Sequence, residues 1–408
     1  ETLSHFCFRQ VGMRFAPSSQ RRRMHLVDHL QQAKVKASSS SSGSWYHWSC
    51  SSMKGWRRSM EDAFVTLSDP EQSGLEDRAL FAVFDGHGGK EVALFCERHF
   101  PEQVKAFLGE GLSWQEMFAQ VYDAMDDLLR MPESESELRL LRNCSTSFSD
   151  SDNSSSMECR CPTKSYVDEL SRHKEQVRAS RHAAHSVGAT GLAVLLTPET
   201  AVCANAGDSR AVLCRGGVPV ELSFEHKPSV PEERRRIEEA GASLVESSAS
   251  SPDREPRING SLNVSRGFGD FKHKSQAALP RDRQAVICTP EVKSIDLSPQ
   301  DEFIVLACDG VWEVKSSSEV CDFVRRRLPF LDLEEIVEEL LDDCLAQTAS
   351  SHLGCDNMTC IVVSLSRQEG SRSSGPGRRF ISGASRGAPR VGFSDNLRGD
   401  LHRKLSGA

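Results

Sequence analysis

The 408 residues carry 58 acidic against 50 basic side chains, a net charge of −8, with 38% apolar residues; a chain this long can bury a sizeable core as one large domain or two ordinary ones. No run approaches the roughly 18 apolar residues of a membrane helix, so no membrane span is expected. The charge is uneven: residues 1–37 carry net +5 and residues 366–408 net +6, leaving −19 for residues 38–365, a centre suited to cations, with basic ends that are weak evidence for a nucleic-acid binder.

Residues 1–44 read as a basic, serine-rich extension, with Arg21-Arg22-Arg23 and then a serine run ending at Gly43-Ser44; a disordered arm and an organelle-targeting segment both fit that composition. From Trp45 the composition becomes globular. Ala79–Phe84 is an unbroken apolar run entering Asp85-Gly86-His87-Gly88-Gly89, which reads as a buried strand followed by a sharp exit. Helical periodicity follows over residues 90–108 and 113–129. Residues 131–186 are rich in Ser, Glu, Asp and Arg, and predict an exposed, partly disordered insertion.

Strands are predicted at 188–196, 201–206 and 211–214, the last turning back through Gly216-Gly217. Pro231–Ala240 has Pro at its start and Gly241 past its end, a helix signature. Phe303–Cys308 is a second buried strand, ending in Asp309-Gly310; helices are expected at 318–327 and 333–349, and Asp356-Asn357 opens a last strand over 358–365. The tail 366–408 is Gly/Ser/Arg-rich and reads as disordered. The 14 cysteines do not read as a disulfide framework, and Cys203, Cys214, Cys308 and Cys360 lie in apolar runs, which suits a reducing cytoplasmic or nuclear setting.

Asp85, Asp208, Asp309 and Asp356 all stand at the ends or starts of apolar strands, and Glu61-Asp62 adds two more carboxylates. Converging anionic oxygens repel unless cations sit among them, and oxygen-only ligation selects hard ions such as Mg²⁺ or Mn²⁺. Two such ions about 3.5–4 Å apart can activate a water for attack on phosphorus. Arg57 could clamp a phosphate and His87 protonate a leaving oxygen. By local pattern Asp270 is a turn-former, and Asp208 is equally a turn-former or a ligand.

Together, Gly55-Trp56-Arg57, Met60-Glu61-Asp62, Asp85-Gly86-His87-Gly88-Gly89, Gly207-Asp208-Ser209-Arg210, Glu225-His226-Lys227-Pro228, Gly269-Asp270, Ala307-Cys308-Asp309-Gly310 and Asp356-Asn357-Met358-Thr359 resemble the metal-dependent protein phosphatase family, the type 2C serine/threonine phosphatases. The resemblance spans residues 45–365, the expected catalytic domain. It implies an α+β fold: a four-layer α-β-β-α sandwich of two mainly antiparallel sheets with a dinuclear metal cleft. It implies two Mg²⁺ or Mn²⁺ ions and a weaker third. Asp85 and the Gly86 carbonyl, with Asp309 and Asp356, would be ligands, Glu61 a direct or water-mediated support, and Asp208 a holder of the third ion. Arg57 would bind phosphate, Asp62 orient water and His87 act as general acid. The expected partners are phosphoprotein substrates, with no nucleic acid, and the expected state is a monomer. The alternative is a catalytically inactive relative serving as a binding module. Glu225, Glu313 and Cys355 depart from the family pattern.

Overall fold

The computed structural model describes residues 36–42, 45–68, 75, 77–144, 182–246, 255–351 and 353–365. In chain order, β1 (Lys36–Ser42), β2 (Tyr46–Met53), β3 (Ala63–Leu67), β4 (Ala79–Phe84) and the two-residue β5 (Gly86–His87) precede helices α1 (Glu91–Phe107), α2 (Trp114–Arg130) and α3 (Pro132–Asn143). Then come β6 (Gly188–Ala189), β7 (Gly191–Leu196), β8 (Thr200–Ala206), β9 (Arg210–Arg215), β10 (Val218–Glu221), α4 (Pro231–Glu239), β11 (Leu244–Val245), β12 (Arg257–Ile258) and β13 (Phe268–Gly269). The last group is β14 (Glu291–Asp296), β15 (Asp301–Ala307), α5 (Asp309–Trp312), α6 (Ser317–Arg327), α7 (Leu333–Cys344) and β16 (Met358–Leu365).

Two antiparallel sheets form the centre, one ordered β1-β2-β16-β15-β9-β10 and the other β14-β8-β7-β4-β3. Successive strand side chains point to opposite faces, and in β4 both faces are covered. Leu80, Ala82 and Phe84 pack with Phe95 and Phe100 of α1 and with Phe118 and Tyr122 of α2. Phe81 and Val83 instead meet Ile304, Leu306, Ile361 and Val363 of the other sheet. The far face of that sheet, with Phe303 and Val305, packs on Val320 and Val324 of α6 and Ile336 and Leu340 of α7. This double burial, contributing about 1.5–3 kcal/mol for each large apolar side chain, explains why β4 and β15 read as unbroken apolar runs. The result is the expected four-layer α-β-β-α sandwich. The buried Tyr122 hydroxyl donates to Gly191 O and lies equally near Ala204 O, both at 3.0 Å, fixing α2 on β7 and β8.

Three expectations need correction. First, residues 132–143 of the expected exposed insertion form α3. Pro132 stands where a missing N–H costs nothing, and Leu138 and Leu141, one turn apart, enter the same cluster as Phe84. Ala183 and Ala184, near the insertion's far end, are buried there as well. Few apolar residues suffice because they share one helix face. The stretch 145–181 lies outside the described residues. Second, the last seven residues before Gly43 pair with β2 from Lys36↔Met53 to Ser42↔His47, so the globular part begins earlier than Trp45. Backbone pairing at a sheet edge needs no apolar side chain, which is why the serine run gave no strand signal. Third, α7 stops at Cys344, where the chain turns so that the Ala346 N–H donates to Gly354 O at 2.8 Å.

Candidate metal centre

Antiparallel pairing gathers the carboxylates. Ala63 at the start of β3 faces Phe84 at the end of β4, so Asp62 and Asp85 leave one sheet side by side. Ala307 at the end of β15 lies opposite Cys360 near the start of β16, which brings Asp309 and Asp356 to the same end of the other sheet. Asp208 follows β8. Gly86 permits a close approach: a Cβ there would lie 2.2 Å from the Glu61 carbonyl oxygen. Gly310 does the same between the β15 and β16 ends, where a Cβ would meet Asn357 O at 2.1 Å.

One carboxylate oxygen each from Asp85, Asp208 and Asp309 lie within 4.8 Å of one another, and a second such group joins Asp62, Asp85 and Cys308. Burial is the chief cause that pushes the Asp85 carboxyl far above the usual range, with the Asp309 and Asp62 charges next. Burial, then Asp208 and Asp356, do the same to Asp309. Asp62 and Asp208 are each pushed up to about 7, again chiefly by burial. The Asp62 Oδ2 accepts from Thr359 Oγ1 at 2.8 Å, while its Oδ1 is buried without a partner. Cys308 is not a thiolate ligand: burial raises its pKa, and its sulfur accepts from the Thr359 N–H at 3.1 Å. The donor set is therefore oxygen, and an orphaned buried oxygen beside three mutually repelling acids fits a hard divalent cation.

The other expected residues surround this core. Asp356 stands beside the two groups, with one oxygen accepting from the Asn357 N–H at 2.7 Å and the other from Arg57. Arg57 is 60% exposed and faces solvent beside Asp356. The Glu61 carboxylate lies outside both groups, accepting from Ser59 Oγ at 2.8 Å and the Gly89 N–H at 3.1 Å, where it braces the turn after His87. Gly86 pairs with Ala189 in the small sheet β13-β6-β5. Glu225 is structural: it accepts from Arg210 and pairs with Lys227 at 2.9 Å. Glu313 is raised by burial, with Lys227 and Asp356 among its charged neighbours.

Two residues bonded to predicted site residues are given no site role in the sequence reading. Asn357 accepts from the Glu61 N–H at 2.8 Å and donates to Lys54 O and Ser59 O at 2.7 and 3.0 Å, tying the two acid-bearing segments together. Asp270, read as a turn-former, does sit at a left-handed φ of 51°, but its carboxylate reaches His87 Nε2 at 2.5 Å. The Asp-Asn pair at a strand start was a usable signal for Asn357; Asp270 offers none, because its partner is 183 residues away.

The sequence profile described as "Protein phosphatase 2C" matches residues 46–147 and 142–353. Probable protein phosphatase 2C 2 of Paramecium tetraurelia is 34% identical over 345 residues, 83% of this chain and 98% of that protein. Protein phosphatase 2C homolog 2 of Schizosaccharomyces pombe is 35% identical over 81% of this chain and 76% of its own length. The crystal structure of a phosphatase from Toxoplasma gondii superposes with a TM-score of 0.58 at 22% identity, covering 83% of this chain and 97% of that one. The strand-end acids and the four layers are thus found in a chain that belongs to the protein phosphatase 2C family.

Proposed function

We propose that this protein phosphatase removes phosphate from phosphoserine and phosphothreonine in proteins with two Mg²⁺ or Mn²⁺ ions. Asp85, the Gly86 carbonyl, Asp309 and Asp356 would hold the ions, Glu61 and Asp62 would stand beside them, and Asp208 would serve a weaker third. The observation that carries this reading is the convergence of Asp62, Asp85, Asp208 and Asp309, all pushed toward neutrality by burial, with no cationic partner on Asp85 or Asp309 among the described residues. When bound, hard divalent ions supply positive charge for phosphate oxygens and lower the pKa of water. Arg57, exposed and held only by Asp356, swings its fork onto the phosphate. Asp62 offers its unpartnered Oδ1 to a hydrogen of the attacking water and so aims it. His87, a quarter exposed at the cleft, gives a proton to the seryl or threonyl oxygen as it leaves. The inactive-module alternative requires loss of one of these groups, and all are present.

The described cysteines are free thiols, and among the described residues no helix is long and apolar enough to cross a membrane. The free thiols support a reducing cytoplasmic or nuclear setting, and the proposed state is a monomer.

The test is turnover of a phosphothreonine peptide by the purified full chain with millimolar Mg²⁺ or Mn²⁺, after chelation, and after metal is returned. Activity should vanish with chelator and come back with metal. Full turnover after exhaustive chelation overturns the metal mechanism. Folded, metal-loaded protein that cleaves no phosphopeptide makes the chain a binding module.

A further inference from the structure

The small sheet β13-β6-β5 sets His87 opposite Gly188, and Gly188 opposite Gly269. The residue after Gly269 is Asp270, whose own N–H donates to Val187 O at 3.0 Å. Register alone therefore lays the Asp270 carboxylate beside the His87 ring. Gly188 leaves the room: a Cβ there would fall 2.2 Å from Asp270 Oδ2 and 2.6 Å from His87 Nε2. The loop carrying Asp270 is clamped from behind. Asp126 of α2 accepts from the Gly269 N–H at 2.9 Å and from Lys274 Nζ at 2.7 Å, and that ammonium also donates to Gly267 O at 2.7 Å. Asp126, Lys274 and Asp270 are all buried.

We propose that Asp270 is the positioning residue of His87: its carboxylate accepts a hydrogen bond from Nε2–H and thereby presents Nδ1 to the departing oxygen of the substrate. A carboxylate only accepts, so Nε2 carries the hydrogen and the ring cannot turn that nitrogen toward substrate without breaking the bond. Among the described residues Nδ1 has no partner, which leaves it for proton delivery. Strain supports the assignment. A non-glycine residue in the left-handed region costs free energy and persists where surrounding structure holds it, and here Asp126 and Lys274 hold it. The proposal rests on the reading of His87 as proton donor given above.

The experiment uses the full chain at saturating Mn²⁺ and two substrates, a phosphothreonine peptide and p-nitrophenyl phosphate. A threonyl oxygen needs a proton to leave; a nitrophenolate does not. Asp270→Asn keeps a residue type that tolerates positive φ, and Asp270→Gly serves if the amide perturbs folding. Either should lower kcat on the peptide at least about tenfold more than on the nitrophenyl ester, a fraction of the roughly 10²–10⁴-fold that a positioned proton donor supplies. Gly188→Ala, which wedges the pair apart, should shift the ratio the same way. His87→Gln should show the same selectivity, and Asp270→Asn should cost nothing further in that background. Equal loss on both substrates, or an undiminished loss when His87 is already Gln, makes Asp270 a structural brace and overturns the proposal. If His87→Gln itself damages both substrates equally, the donor reading fails and this inference falls with it. Selectivity for His87→Gln without selectivity for Asp270→Asn removes this inference alone.

Discussion

Two sets of buried acids among the described residues are treated in opposite ways. On α4, Glu233 lies 2.7 Å from Arg236, and it accepts from Arg266 at 2.6 Å and Ser265 Oγ at 2.5 Å. Burial alone would raise its pKa, but the two guanidinium groups and the hydroxyl outweigh it and hold the carboxyl at about 2. Among the strand-end acids, burial wins: Asp62 and Asp208 sit at about 7, and Asp85 and Asp309 are also raised well above the usual carboxylate range. Buried charge that is paired inside the protein serves the fold; buried charge left unpaired is a place prepared for something outside it.

Removing charge should separate the two regions most sharply. Asp309→Asn should lower turnover more than about a hundredfold at saturating Mn²⁺, since even residues supporting a ligand from behind cost about 10–100-fold. The same variant, metal-free, should unfold no earlier than wild type, because one of several repelling acids has gone. Near-normal kinetics would remove Asp309 from the metal set. Glu233→Gln should behave in the reverse manner, leaving Arg236 buried without its counter-charge at a cost of about 3–5 kcal/mol in urea unfolding. A loss under about 1 kcal/mol would show that solvent screens this network.

The smallest effect is on pH dependence, and its sign differs between the regions. The folded pKa of Glu233, about 2, lies below the unfolded value of about 4.3. Its contribution is complete above that value and is lost as pH falls toward 2. Asp62 and Asp208, at about 7, lie above their unfolded value of about 3.9. In chelated protein their contribution is complete below that value and is lost as pH rises through 7. Chelated wild type should therefore become less stable between about pH 5 and 7.5, and Mn²⁺ should reverse that slope. A flat profile in chelator would mean that the cleft acids are solvated.

Much of the cleft was legible because it is written locally. An apolar run buried on both faces, followed by Asp-Gly, marks Asp85 and Asp309 in the text of the chain, and the last strand, Met358–Leu365, fell where its pattern put it. Features resting on backbone or distant partners were not legible. The strand Lys36–Ser42 has no side-chain signature. Helix Pro132–Asn143 hides two core leucines in polar surroundings. The bonds of Asp270 to His87 and of Asp126 to Lys274 join residues 183 and 148 positions apart. The Glu233 network likewise depends on Arg266, 33 residues on.

Glu135 gives α3 a second importance. This buried side chain accepts from the Ala183 N–H at 2.8 Å and from Arg139 Nε at 2.7 Å, while Arg142 pairs with Glu91 at the start of α1. The end of α3 and the segment that begins at Ala183 are thus riveted to the same layer of helices. Loop closure grows only with the logarithm of length, about 0.6 kcal/mol for each doubling. With residues 142 and 183 both anchored, changing the number of residues between them is expected to cost the sandwich little, and thermal unfolding of length variants measures that cost.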